Sequence, residues 1–257
     1  MLAIKCEVKL IYKNMDKYMF MEERSMDNLK IVEFNDVNFD EYKKWVNKYI
    51  NKNDWNEIRF QNEVVKPFIS AIFPNLDVED VSTKRNSPNH DYHQYGGLYT
   101  DKDGKEKVAT PDLVIAKNWN WLNKENDVEY YAVVEVKSPG LKQAIYCKDY
   151  QKYDKELKDE LKRHLSSTKN DKVILTDTLK WEFYKKDSGL VPVRTFELYN
   201  FFQRGNWEWK KGEQVTVKDD IINEIFGHNI EYESETREFE ELKGYLIEFL
   251  EKHSDLL

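Results

Sequence analysis

Two carboxylates and an amine crowd the middle of this chain. Asp112 follows Pro111 directly, and Glu135 and Lys137 lie in the run Tyr-Ala-Val-Val-Glu-Val-Lys-Ser-Pro that ends at Pro139. In an extended strand alternate side chains share a face, so Glu135 and Lys137 project to one side with Tyr131 and Val133, while Val134 and Val136 face the other. Charged groups inside a buried strand are expensive unless they are paired or bound to a metal. Asp112 opens the preceding strand, Leu113 to Ile115. Two carboxylates from adjacent strands, with the Val136 carbonyl, form an oxygen donor set suited to a hard divalent cation whose other positions are filled by water. Mg2+ held there would polarise a phosphoryl oxygen and acidify a bound water, with Lys137 placed to orient that water. This is chemistry for hydrolysing a phosphodiester. The plainer alternative is a satisfied Glu135–Lys137 ion pair in a structural protein.

The surrounding elements must position these groups. Phe39, Tyr42, Trp45, Val46, Tyr49 and Ile50 fall on one helical stripe. Asp54 and Glu57 read as a capping box opening a second helix with Ile58, Val65, Phe68, Ile69 and Ile72 at core spacing. Glu63 lies inside that helix, where a solvent-facing position is the plainer reading, and Pro67, four residues on, denies its carbonyl a partner and predicts a bend. From Val78 to Val108 the chain reads as an irregular polar loop containing Lys84, Arg85, His90 and His93. The two basic residues could meet phosphates or be solvated, and no cysteine stands near the histidines to complete a metal site.

After Pro139 and Gly140 the spacing predicts a helix to about Leu165, with Tyr146, Tyr150, Tyr153, Leu157, Leu161 and Leu165 as its core stripe and Lys142, Gln143 and Lys148 in its first turns. Strands follow at Val173–Thr176 and Trp181–Lys185 around a turn at Asp177, then at Val191–Leu198. Leu2–Tyr12 and Leu29–Phe34 read as strands, and helices are expected near Ile221–Phe226 and Thr236–His253. The whole predicts an α/β fold: a central mixed sheet with helices on both faces. Residues 1–36 form an N-terminal arm, in which Met26 is an alternative start. Residues 37–200 form the domain that holds the candidate site, and residues 201–257 an acidic helical appendage packed on it.

Composition sets the bounds. The chain has 257 residues, 40% hydrophobic and 34% charged, enough for one sizeable core. No apolar run reaches the roughly 18 residues of a membrane span. Two cysteines, Cys6 and Cys147, lack the spacing of a zinc site or a disulfide framework, as expected of a cytoplasmic protein, with a pair joining the two as the alternative. The net charge of −8 is uneven: Glu213 to Leu257 holds 13 acids and 4 bases, a net of −9, which leaves residues 1–212 at +1. The acidity therefore belongs to the tail, which should face away from a polyanion, cover the site until displaced, or dock on another subunit.

Pro111-Asp112, a spacer, then Glu135-Val136-Lys137 resembles the signature of the PD-(D/E)xK nuclease superfamily, the restriction-endonuclease-like fold. The resemblance implies that Asp112 and Glu135 bind Mg2+, with Mn2+ able to substitute, that Val136 lends its carbonyl, and that Lys137 assists the attacking water. Glu63 matches the helix glutamate that many members add as a ligand. In the branch similar to the nuclease domain of type I restriction motor subunits a glutamine follows on the next helix, a place taken by Gln143. A tyrosine is also expected there, and Tyr146 falls one residue short of its position. The run from Val173 to Tyr184 is similar to that branch's strand-turn-strand. The likeness covers about Asp54 to Leu198.

It implies a metal-dependent endonuclease acting on DNA in a restriction or phage-defence system. Lys84, Arg85, Lys142 and Lys148 are the candidate DNA contacts. The chain has no helicase, methyltransferase or Walker-type segment, so a motor or specificity subunit would be a separate chain, and a homodimer is compatible with cutting both strands. The alternative is a catalytically silent nuclease-fold module that binds nucleic acid or a protein partner.

Overall fold

The computed structural model describes residues 37–82, 98–119, 128–140, 144–146, 154–203, 206–217 and 230–251. Helix α1 (Phe39–Ile50) opens on Asn38, whose side chain accepts from the Glu41 N–H, and it buries Phe39, Tyr42, Val46 and Tyr49. A second helical run begins with α2 (Glu57–Phe60), passes through a π-helical turn (Gln61–Val65) and ends as α3 (Lys66–Ile72). The wide turn sits where Pro67 was expected to bend the chain. With no Pro67 N–H to receive, the helix closes instead through the Lys66 N–H to the Gln61 carbonyl, one residue wider than an α-turn.

That extra residue shifts the helical phase. Ile58, expected in the core, is 48% exposed, whereas Phe60, Gln61, Val64 and Val65 are buried. The capping box is also corrected: Asn56 is the N-cap, accepting from the Ile58 N–H, and Asp54 instead accepts from the Asn56 N–H.

Strand β1 (Asp77–Asp80) overlaps the start of the span read as irregular, which also holds the hairpin β2 (Leu98–Thr100) and β3 (Glu106–Val108). Then come β4 (Leu113–Lys117), β5 (Glu129–Val136), helix α4 (Asp154–Leu165), β6 (Lys172–Thr176), β7 (Lys180–Lys185) and β8 (Arg194–Glu197). Six strands pair in the order β1-β4-β5-β6-β7-β8. Only β5 and β6 are parallel, joined by the crossover that contains α4. The remaining pairs are antiparallel, so the sheet is mixed.

Two short ribbons follow: β9 (Tyr199–Gln203) with β10 (Asn206–Trp209), and β11 (Gln214–Val217) with β12 (Ile230–Glu233). Helix α5 (Arg237–Leu250) closes the described chain, capped by Thr236. The segment expected to be helical near Ile221–Phe226 and both strands expected before residue 37 lie outside the described residues.

Helices cover both faces of the sheet. On one, α1, the α2–α3 run and α5 bury Tyr42, Phe60, Phe68, Phe239, Leu242 and Leu246 against Leu113, Ile115, Val134, Val136, Trp181 and Phe183. On the other, Leu157, Leu161 and Leu165 of α4 pack on Val114, Val133, Val173 and Leu175. Tyr131 breaks the expected alternation. The β4–β5 register shifts between Ile115 and Ala116, and this bulge sends Tyr131 to the face of Val134 rather than that of Val133. Residues 144–146 form a turn, not the helix expected there. No helix among the described residues is long and apolar enough to cross a membrane.

Candidate active site

Strand directions bring the chemical residues to one end of the sheet. Because β5 and β6 run together while β4 and β7 run against them, the end where β5 stops at Val136 is the end where β4 starts after Asp112. The Val136 N–H donates to Asp112 Oδ2 at 2.8 Å. A residue's N–H and C=O leave a strand on the same edge, so the Val136 carbonyl opens toward Asp112 as well. The Lys137 N–H continues the parallel ladder, donating to the Thr176 carbonyl at 2.8 Å. Asp112 is fixed in turn by its own carbonyl, which receives the Val81 N–H at 3.1 Å and Gln61 Nε2 at 3.2 Å. Gln61 belongs to the π turn, so the wide turn and the aspartate are directly tied.

Glu135 and Lys137 are both buried and share the face that α4 covers. Lys137 Nζ donates to Glu135 Oε1 at 2.5 Å and to Glu160 Oε2 at 3.0 Å. His164 Nε2 lies 3.2 Å from Glu135 Oε2. Burial alone would push the Glu135 pKa up, but the His164 hydrogen bond and the Lys137 charge bring it down to about 2. Since Glu135 is then a carboxylate, His164 Nε2 carries the hydrogen and donates. Its Nδ1 is buried with no partner among the described residues.

Asp112 behaves oppositely: burial and then the Glu135 charge push its pKa well above the ordinary value. Glu57 is also pushed up, by burial first, with Glu135 and Glu160 adding while Lys137 and the Ser138 backbone N–H offset part of the rise. Burial would lower Lys137, but Glu135 and Glu160 outweigh it and hold the amine charged. Neighbouring carboxyl groups are thus driven in opposite directions around one ammonium, a pattern that functional sites share with buried ion-pair networks.

Of the residues expected from sequence, Asp112, Glu135, Val136 and Lys137 come together. Glu63 is engaged elsewhere. It receives Lys48 Nζ at 2.8 Å, Arg59 at 2.7 Å and the Tyr49 hydroxyl, and its side chain is 34% exposed. The helix glutamate facing the site is Glu57, six residues earlier, turned there by the shifted phase of the wide turn. Gln143, Lys84, Arg85, Lys142, Lys148, His90 and His93 lie outside the described residues. Tyr146 is buried in an aromatic cluster with Tyr199, Phe201 and Trp207, and its N–H donates to Asp177 Oδ2 at 2.6 Å.

Sequence reading missed Glu57, Glu160 and His164. A signal was present: Leu157, Glu160, Leu161, His164 and Leu165 occupy one stripe at i, i+3, i+4, i+7 and i+8, the positions a core-facing helix fills with apolar residues. Two polar side chains on that stripe had to meet polar partners.

Asp112, Glu135 and Glu57 with the Val136 carbonyl are oxygen donors of the kind that hold Mg2+ or Mn2+. The surplus of carboxylates over the single ammonium fits a cation as well. Among the described residues no three His, Cys, Asp or Glu groups already converge as metal ligands. Both Glu135 oxygens are engaged by Lys137 and His164, so a cation would have to take an oxygen from one of them. No family model, no curated protein and no solved structure matches this chain.

Proposed function

We propose that this chain is a metal-dependent nuclease of the restriction-endonuclease-like kind, hydrolysing DNA phosphodiester bonds as part of a restriction or phage-defence system in the cytoplasm. One observation carries the reading: Asp112, Glu135, the Val136 carbonyl and Lys137 meet at one end of a mixed sheet, with Asp112 Oδ2 2.8 Å from the Val136 N–H. Asp112, Glu135 and Glu57 would hold Mg2+, which when bound supplies an acidified water and charge for the phosphoryl oxygens. The chain's own groups do the rest. Lys137 keeps its proton and offsets charge developing on the phosphate, while His164 and the Val136 N–H fix the two carboxylates.

The test is incubation with linear and supercoiled DNA in Mg2+, Mn2+, Ca2+ or chelator. Cleavage should require Mg2+ or Mn2+ and should vanish in Asp112→Asn and Glu135→Gln. Cleavage that survives either substitution removes the site from the reaction.

A second reading, a silent module that binds nucleic acid, is favoured by the engagement of both Glu135 oxygens. It expects no cleavage with any metal, and DNA affinity that falls steeply with salt whether or not a divalent ion is present.

A further inference from the structure

Lys137 has one more carboxylate than a simple ion pair needs. Its Nζ lies 2.5 Å from Glu135 Oε1 on its own strand and 3.0 Å from Glu160 Oε2 on α4. Glu135 is asymmetrically held: Oε1 belongs to Lys137, which is shared, and Oε2 to His164, four residues beyond Glu160 on the same helix. The second Glu160 oxygen faces Arg163 at 3.8 Å, a weak, half-exposed pairing along the same helix.

We infer that Glu160 is the alternate seat of the Lys137 amine, keeping Lys137 paired when Glu135 Oε1 is given up to a divalent cation, while His164 holds Oε2 and preserves the orientation of Glu135. This rests on the metal-dependent reading of the site and adds a residue to it. An ammonium removed from its only partner in a buried site is strongly destabilised, so a lysine with one carboxylate would compete with the cation for it. Lys137 already touches the second carboxylate and needs no large rotamer change to rely on it alone. Glu160 touches neither reacting atoms nor metal, and is a positioning residue.

The experiment is Mn2+ binding by the full chain, read from the electron paramagnetic resonance signal of free Mn2+, which requires no cleavage. Glu160→Gln should weaken binding about five-fold or more, a coupling within the range of contacting charged groups, and in the Lys137→Met background the same substitution should change it less than about two-fold. Equal loss in both backgrounds would mean that Glu160 acts through its charge on the cation alone, and would overturn the assignment, as would no loss in either.

Glu160→Asp keeps the charge but withdraws it by one methylene, and supplies a check that does not depend on the folding of Lys137→Met. It should weaken Mn2+ binding nearly as much as Glu160→Gln, and wild-type binding would overturn the role. If wild type takes up no Mn2+, the divalent site itself falls and the seat with it. If Mn2+ binds but the cycle is additive, only the inference about Glu160 fails.

Discussion

Replacing Lys137 by methionine should cost stability before it costs any chemistry. The ammonium is the shared partner of Glu135 and Glu160 at 2.5 and 3.0 Å, and Lys137 is 4% exposed. Removing one member of a buried pair costs about 3–5 kcal/mol, because a charge is left without compensation. Glu135 keeps His164 at 3.2 Å, which places the loss near the lower end, about 3 kcal/mol at pH 8. At roughly 2–4 °C per kcal/mol for a chain of this size, Tm should fall by about 6–12 °C. A cleavage assay of Lys137→Met is therefore to be run below its lowered Tm.

The sign of the pH dependence follows from the shifts. Lys137, raised in the fold, gives its full stabilisation at any pH below its unfolded value. Asp112 and Glu57 are already raised, and Glu135 loses the ammonium that helped hold it near pH 2, so in the variant these groups protonate readily as pH falls. The difference between wild type and Lys137→Met should therefore narrow from pH 8 to pH 5. Urea denaturation at both pH values measures it. A variant within about 2 °C of wild type at pH 8, or a gap that widens on acidification, would refute the charge balance described for this cluster.

Glu57→Gln should weaken Mg2+-dependent cleavage at least about ten-fold, as expected for a charge acting in a desolvated site, whereas Glu63→Gln should leave it within about two-fold. The reverse ranking, in steady-state rates at limiting Mg2+, would restore Glu63 to the site. The exposed bridges of Glu63 should contribute less than about 1 kcal/mol to stability, measured by the same denaturation curves. Asp177 is buried and accepts from the N–H groups of Tyr146, Leu179 and Lys180, yet burial pushes its pKa up to about 7. A carboxyl raised in the fold binds its proton more tightly there than in the unfolded chain, so its contribution declines as pH rises from about 4 to 7. Asp177→Asn should cost about 1–3 kcal/mol at pH 5 by losing the Tyr146 bond, and should flatten the stability profile over that interval, which urea titrations at several pH values would show.

Much of this arrangement was legible because period and chemistry agree locally. The stripe of α1 and the continuous apolar run of β6 announce themselves, and the charged end of β5 stands out because its strand is otherwise apolar. Strand β1 was hidden because three of its four residues are acidic, which only an edge position next to β4 permits. Two geometric irregularities defeated pattern reading. The bulge at Tyr131 reverses a two-residue alternation, and the π turn after Phe60 offsets a 3.6-residue one, so that Ile58 was assigned to the core, while Glu63 was drawn to the site by the resemblance alone. Glu160 and His164 escaped for another reason: the stripe of α4 was traced through its apolar members alone, although a buried strand that ends in charge requires polar groups on whatever covers it.

The wide turn at Gln61–Val65 divides one helical run into two independently aimed halves. The later half answers to the sheet, seating Phe68, Ile69 and Ile72, and the turn itself is tied to Asp112 through Gln61. Shortening this turn by a single residue would rewind it into an ordinary helix and swing the first half by about 100° while leaving the second in place. Glu57 would then be carried off to the side of the molecule, and Phe60, fully buried beside Tyr49, would be drawn out of the core with it. A one-residue length change here would thus reach a core aromatic and an acidic group of the candidate site together.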